Sequence, residues 1–353
     1  MKTNKSSKYY CGLDFHKNFS QICVMDQDGK IKEETRLKSD QLTKYLSNKR
    51  EYEIGVESSG GVFDIANKLE NTGHKVRIIN SVQFRGIGLG GKKNDKNDAK
   101  ALATALRVSY VPEVHKKTLY SRRLKSLLAS RDIVVRTRTS LICHVRSILR
   151  EYGFVIPAGI TNFWEDVPER INEVECESIK RVLQELVRQA ETLKIEAGLI
   201  EKELGNLVCE DERTSRLLQV PGIGLLSAVA FVASIDDFSR FPDAKHLGSY
   251  LGLTPKQNAS GSRNRFGHIT KCGPELLRRY LIHGARTVMR YAPTSASDGK
   301  NKIRTWADRV EKRAGTNKAI VALAHKNARI CFAMMRDGTN FGEFKESTQE
   351  KAC

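Results

Sequence analysis

From Tyr9 to Ile79 the chain is written in short apolar runs closed by turn residues. Tyr10 to Leu13, Phe19 to Met25, Ile31 to Leu37, Tyr52 to Val56 and Lys75 to Ile79 are such runs, and Asp26-Gln27-Asp28-Gly29 separates the second from the third. Runs of this length with this punctuation predict strands, and the helical spacing at Gln41 to Asn48 and at Val62 to Thr72 predicts helices that follow or separate them. Ser81 to Asn94 is polar and rich in glycine, after which Asp95 to Arg107 reads as a helix.

The pattern then changes period. Leu119 to Tyr152 carries doubled apolar positions every seven residues, at Leu127-Leu128, Val134-Val135, Leu141-Ile142 and Ile148-Leu149. After an expected break around Pro157 and Pro168, a second long helix alternates by four and three through Ile179, Leu183, Leu186, Ala190, Leu193, Ala197, Ile200, Leu204 and Leu207, which is a coiled-coil seam. Periodicity leaves open whether its partner is the preceding helix or another subunit. From Thr214 onward, Leu217-Leu218-Gln219-Val220-Pro221-Gly222-Ile223-Gly224 and the apolar Leu225 to Ile235 resemble a helix-hairpin-helix. Gly222 and Gly224 there would offer backbone N–H groups to a phosphate, although such a stretch is often only a turn. A basic loop over Asn258 to His268, a helix over Pro274 to Tyr291, a loop over Pro293 to Asn301, a final helix over Asn317 to Met335 and a tail after Gly338 complete the reading. The strand meander followed by alternating helix and strand suits an RNase H-like fold. The expected class is therefore α/β plus α, with domains at 1–110, 111–212 (basic helix and coiled coil) and 213–340, and a tail at 341–353.

The chain has 353 residues, enough for two or three cores. It contains no 18-residue apolar run, which argues against a membrane span, and Met1 to Lys8 lacks the apolar stretch of a secretory signal. Cytoplasmic residence is expected, at the nucleoid when DNA is bound. Eight cysteines lie singly with no zinc spacing, so they read as reduced structural thiols. The formal net charge of +19 calls for a polyanionic partner, and nucleic acid fits better than a membrane because no amphipathic anchor is visible. The charge concentrates in the first long helix, where Arg122, Arg123, Lys125, Arg131, Arg136, Arg138, Arg146 and Arg150 stand against Asp132 and, at its end, Glu151. A charge run is usually a solvated face, but one this one-sided reads as facing phosphate.

Candidate chemistry rests on four acids. Asp14 closes the first strand, Glu57 the fourth, and Asp95 and Asp98 open a helix on one face. Carboxylates gathered from strand ends and a helix start suit a hard divalent cation, Mg²⁺ or Mn²⁺, and phosphodiester chemistry. The plainer reading of Asp95 and Asp98 is an N-terminal cap. Ser260 in Ser260-Gly261 is flanked by Arg263, Arg265 and Lys271, which with Arg278 on the following helix read as contacts to nucleic acid. A hydroxyl needs such help to act as a nucleophile, though an ordinary turn is the simpler account of the residues alone. Ser262 is a second candidate. His16, His268, His283 and His325 have no partner at ligand spacing in the sequence and read as structural or phosphate contacts.

These segments carry a resemblance. Gly12-Leu13-Asp14-Phe15-His16-Lys17, Val56-Glu57-Ser58-Ser59-Gly60 and Lys93-x-Asp95-x-x-Asp98-Ala99, with Gly252-Leu253-Thr254-Pro255, Ser260-Gly261 and Lys271-Cys272-Gly273-Pro274, are similar to the signatures of the DEDD transposases of the bacterial insertion sequence 110 family. The likeness runs from about Tyr10 to Gly338. It implies a RuvC-like domain whose acids Asp14, Glu57, Asp95 and Asp98 bind metal, and a nucleophilic serine that matches Ser260 and becomes linked to DNA. It also implies a coiled-coil subdomain that supports a homo-oligomer (dimer or tetramer), a composite site between subunits, and a structured bridge RNA that pairs with donor and target DNA. The residues themselves indicate only a polyanion. Three other functions stay open: a Holliday-junction resolvase that hydrolyses DNA, an actin-like ATPase, which lacks its second glycine-rich phosphate loop here, and a non-catalytic nucleic-acid-binding protein.

Overall fold

A computed structural model describes residues 8–85, 94–260, 263–291 and 299–342, and the chain divides into two compact units, Met1–Lys116 and Lys117–Cys353. The first unit contains β1 (Tyr10–Phe15), β2 (Phe19–Met25), β3 (Ile31–Lys38), α1 (Leu42–Ser47), β4 (Glu53–Glu57), α2 (Val62–Asn71), β5 (Lys75–Ile79), α3 (Ser81–Arg85) and α4 (Asp95–Arg107). All five expected strands are present and form one sheet in the order β3-β2-β1-β4-β5. β1, β2 and β3 pair antiparallel, whereas β4 and β5 run parallel to β1. This mixed order is consistent with an RNase H-like fold.

One face of the sheet buries Leu13, Ile54 and Val56 against Leu42, Leu46, Ile65 and Leu69 of α1 and α2. The other face carries α4, and two glycines decide how closely. Gly12 and Gly55 are register partners on neighbouring strands. A Cβ at Gly12 would lie 1.8 Å from the Ala99 carbonyl oxygen and 2.6 Å from the Ala103 nitrogen, and one at Gly55 would lie 2.9 Å from Leu106 Cδ1. With Ala99 and Ala103 fully buried beneath it, α4 is seated backbone to backbone on β1. Its N-cap is Asn94, whose side chain accepts from the Asn97 N–H at 2.8 Å, so neither Asp95 nor Asp98 is needed for capping.

The second unit contains α5 (Leu119–Glu151), α6 (Ile160–Asn172), α7 (Glu177–Val208), α8 (Glu212–Leu217), α9 (Leu225–Ile235), α10 (Ala244–Tyr250), β6 (Pro255–Ser260), β7 (Arg263–Ile269), α11 (Glu275–Tyr291), α12 (Gly299–Ala314) and α13 (Thr316–Asp337). α5 and α7 pack antiparallel. Leu124 and Leu128 share a core with Leu204 and Val208, while Ile142, Val145 and Leu149 share another with Leu183 and Ala190. The partner that periodicity left open is thus α5 of the same chain. Burial divides the seam in two: Leu183, Ala190, Ala197 and Leu204 are buried, and the alternate set Ile179, Leu186, Leu193, Ile200 and Leu207 is half-buried. The first core continues into α9, α11 and α13 through Phe231, Leu281 and Phe332.

Several expectations are corrected here. Pro168 does not break the chain but lies inside α6, because Phe163, Val167 and Ile171 form a fully buried stripe whose packing outweighs the roughly 3 kcal/mol helix penalty of proline. The basic segment around Asn258 to His268 is not an irregular loop but a two-stranded ribbon of β6 and β7, with Gly261 and Ser262 outside the described residues. α12 begins at Gly299, inside the segment read as a loop, whose residues 293–298 are outside the described ones. It is held by Ile303 and Ala307, with Trp306 and Val310 partly buried beside them.

Candidate active site

The seat of α4 brings its first turn to the carboxyl ends of β1 and β4. Asp14 follows the register pair Leu13–Val56, and Glu57 follows on the neighbouring strand, so the two acids leave adjacent strands side by side. One carboxylate oxygen of Asp14, one of Asp95 and a ring nitrogen of His16 all lie within 4.8 Å of one another. His16 Nε2 is 3.1 Å from Asp14 Oδ2. The sequence reading of His16 as lacking a partner at ligand spacing is therefore corrected. The signal was available, since residues two apart in extended backbone project to the same side.

Burial pushes the Asp14 carboxyl above the ordinary range; His16 pulls it back, and the charges of Asp95 and Asp98 push it up again. Asp98 thus acts on Asp14 from the same helical face as Asp95. Glu57 is half-buried at the end of β4. Negative charge from Asp95 and Asp98 that raises the proton affinity of Asp14 is the kind of excess that a divalent cation would offset. The oxygen-rich donor set, with one imidazole, fits Mg²⁺ or Mn²⁺.

Ser260 ends β6 opposite Arg263, one position beyond the pairs Ala259–Asn264 and Asn258–Arg265. The base of this ribbon is built from interlocked glycines. Gly252 (φ 65) would place a Cβ 2.4 Å from the Cys272 oxygen, and Gly273 (φ 71) would place one 1.8 Å from the Tyr250 oxygen. Hydrogen bonds from Thr270 N to Thr254 O (2.9 Å) and from Lys271 N to Gly252 O (3.1 Å) close the base. Lys271 has φ 56, a conformation rare for a side-chain-bearing residue, and is exposed. Arg265 is exposed as well.

Arg278 is a correction. Read from the sequence as a nucleic-acid contact, it is buried, and its Nη1 donates to the Leu251 oxygen at 3.1 Å and the Cys272 oxygen at 2.6 Å. It ties α11 to the ribbon base. Arg278→Met should therefore lower stability by about 3 kcal/mol or more, since each bond from a charged donor contributes about 1.5–3 kcal/mol. Urea unfolding is the measurement, and an unchanged midpoint together with weakened DNA binding would return Arg278 to the surface role.

The turn between α8 and α9 also differs between its two glycines. Gly222 (φ 85) packs on α11, where a Cβ would come 2.7 Å from the Gly284 oxygen, whereas Gly224 caps α9 with open space around it. Along α5, the positive face is partly neutralised from α7: Arg131 Nε donates to Glu201 at 2.9 Å, and Arg123 pairs with Glu203 at 3.6 Å. Arg136 pairs with Asp132 at 2.8 Å but keeps most of its side chain in solvent, and Lys125 is exposed. Arg122 and Arg138 are half-buried. Arg146 donates to the carbonyls of Pro157 and Gly159 and lies over the Phe163 ring, so it closes the turn into α6. Among the described residues no helix is long and apolar enough to cross a membrane.

Two family signatures match the chain, and the one nearer the N-terminus extends from the first unit into α5. The signature of the Transposase IS116/IS110/IS902 family matches residues 214–299, and one described as a DEDD transposase of the IS110 type matches residues 11–154. The chain is 31% identical over 330 residues to the transposase for insertion sequence element IS1111A of Coxiella burnetii, covering 92% of this chain and 88% of that protein. It is 31% identical over 328 residues to a probable family 20 transposase of Pseudomonas aeruginosa, covering 92% and 96%. It is 28% identical over 337 residues to the transposase for insertion sequence element IS1328 of Yersinia enterocolitica, covering 94% and 98%.

Proposed function

We propose, for a chain that belongs to the IS116/IS110/IS902 family of transposases, that transposition proceeds by metal-dependent phosphoryl transfer with Ser260 as the nucleophile. The observation that carries the reading is the convergence of Asp14, His16 and Asp95, with Glu57 at the end of the strand paired to β1 and Asp98 in the first turn of α4. Asp14 and Asp95, with His16, would hold the cation, and Glu57 and Asp98 would complete its surroundings. When bound, Mg²⁺ or Mn²⁺ supplies positive charge to the attacking and leaving oxygens of a phosphodiester.

The chain's own residues do the rest. The Ser260 oxygen attacks phosphorus and displaces a deoxyribose oxygen, leaving the protein linked to one DNA end until that bond is reversed onto a new strand. Arg263, Arg265 and Lys271 hold the phosphate and its developing charge. Lys125 and Arg136 on α5, together with Arg122, Arg123 and Arg138, add a sequence-independent contact to phosphates, and Gly224 at the start of α9 offers backbone N–H groups in a helix-hairpin-helix manner. The half-buried set on α7 extends the seam into a coiled coil in a dimer or tetramer, and an element-encoded bridge RNA pairs with donor and target DNA. A second reading, a junction resolvase that uses water, is favoured by one feature: Asp14, His16 and Asp95 come together within the first unit without Ser260.

End-labelled DNA incubated with protein and Mg²⁺, then run on a denaturing gel, separates the two. A protein-linked band is expected with the natural chain and with Ser262→Ala, and its loss with Ser260→Ala at unchanged DNA affinity. Strand cleavage that survives Ser260→Ala would leave the resolvase as the better account.

A further inference from the structure

We infer that a cleft beside the acid cluster, on the β2–β3 side of the sheet, is a stacking subsite for single-stranded DNA. The inference rests on the phosphodiester chemistry proposed for that cluster. The cleft has a volume of about 500 Å³ and is lined by Phe19, Arg36, Leu37, Lys38 and Gln41. β3 is an edge strand and runs in the same direction as β1, because each is antiparallel to β2. Its last residues therefore lie at the acid-cluster end, where Lys38 is the register partner of Phe19 and Ser20 that of Phe15.

Three features distinguish this cleft from an ordinary surface. The cleft end of β3 is basic: Arg36 and Lys38 sit there, whereas Glu33 and Glu34 lie earlier in the strand beside Lys32, and none of the lining residues is acidic, although Asp40 follows in sequence. The Phe19 ring is 45% exposed and lies under the Arg36 guanidinium, 5.1 Å from it. A lone exposed aromatic needs no explanation, but one paired with a cation inside a basic cleft offers both elements of nucleic-acid recognition, a flat surface for a base and charge for the backbone. The platform is also held rigidly to the acid cluster. His16 N donates to the Phe19 oxygen at 3.2 Å, and Ser39 donates from its N–H to Asn18 O at 3.0 Å and from its hydroxyl to His16 O at 2.7 Å. One short turn thus links His16 of the acid cluster to the ring that would receive a base. Bases in a duplex hide their faces, so a ring in this position favours an unpaired strand.

The test measures binding by the full chain in chelator, where no strand is cut. Labelled oligodeoxynucleotides are used as single strand, as duplex, and as a single strand with abasic sites. Phe19→Ala should lose on the order of tenfold in affinity for the single strand and little for the duplex, and the natural chain should lose a comparable factor on the abasic strand. Arg36→Gln should weaken both forms. Equal losses on duplex and single strand with Phe19→Ala, no loss at all, or tighter binding of the matching oligoribonucleotide would overturn the assignment. Phe19 is exposed, so an unchanged melting temperature is expected of the variant. A flat binding pattern would leave the acid cluster's cleavage role standing, and loss of that role would leave the binding pattern intact.

Discussion

Asp14→Asn is expected to reduce DNA cleavage by about a thousandfold or more while raising the melting temperature of the metal-free protein. The first effect follows from removing a charged ligand, since the cation's stabilisation of the transition state is worth several kcal/mol and each 1.36 kcal/mol is tenfold in rate. The second follows from the direction in which Asp14 is shifted. Its carboxyl is raised above the ordinary value, mainly by burial, with Asp95 and Asp98 adding to the shift. The folded state therefore holds the Asp14 proton more tightly than the unfolded chain does. The associated stability is present below the unfolded-state value and is lost as pH rises through the folded-state one, so at neutral pH the ionised group opposes folding. Asparagine removes that opposition. Thermal melts with chelator and with Mg²⁺ check both parts: the natural chain should gain more from metal than the variant, and the variant should melt higher without it. A variant that melts lower in chelator, or cleaves normally, would remove Asp14 from the proposed centre.

Gly12→Ala should be more damaging than its single methyl group suggests. The added Cβ meets the Ala99 carbonyl oxygen and the Ala103 nitrogen, both backbone atoms, so no side-chain rotation relieves the contact. α4 must move away from β1 and take Asp95 and Asp98 with it. Overpacking of this kind costs about 3 kcal/mol or more where the neighbour is fixed, and the displaced carboxylates should weaken metal binding as well. Calorimetric titration of Mn²⁺ alongside urea unfolding gives the two readouts. Retention of both stability and Mn²⁺ affinity would show that α4 is not held as tightly as the backbone contact requires.

The strands were legible because their apolar runs are short and bounded by turns; Asp14 and Glu57 stood out as candidates because they close two of those runs, and Asp95 and Asp98 because they open a helix. Convergence was less visible. Gly12 and Gly55 are unremarkable as letters, and only the register between β1 and β4 makes them a joint seat for a helix. His16 was missed because ligand spacing was sought along the chain, whereas its partner Asp14 is two residues away in extended backbone. β6 and β7 escaped because both faces of the ribbon lie in solvent from Pro255 to Gln257 and from Arg265 to His268, so no apolar alternation announces them. Arg278 shows the limit of charge as a guide: in a basic chain, composition cannot tell an arginine that binds backbone carbonyls inside the fold from those that meet solvent. Pro168 failed in the opposite sense, because a local rule yielded to burial around it.

The glycine interlock beneath the ribbon has a mechanical consequence. A two-stranded ribbon fixed at one end is a cantilever. Gly252, Gly273 and the Arg278 hydrogen bonds form its clamp, and Ser260 sits at the far end of β6. At about 3.3 Å per residue the lever arm approaches 20 Å, so a tilt of a few degrees at the clamp carries the far end through about an ångström. On the role proposed for Ser260, the accuracy with which it would meet a phosphate is set less by its immediate neighbours than by the stiffness of a joint a whole strand away. Replacing Gly252 or Gly273 would change aim before it changed chemistry.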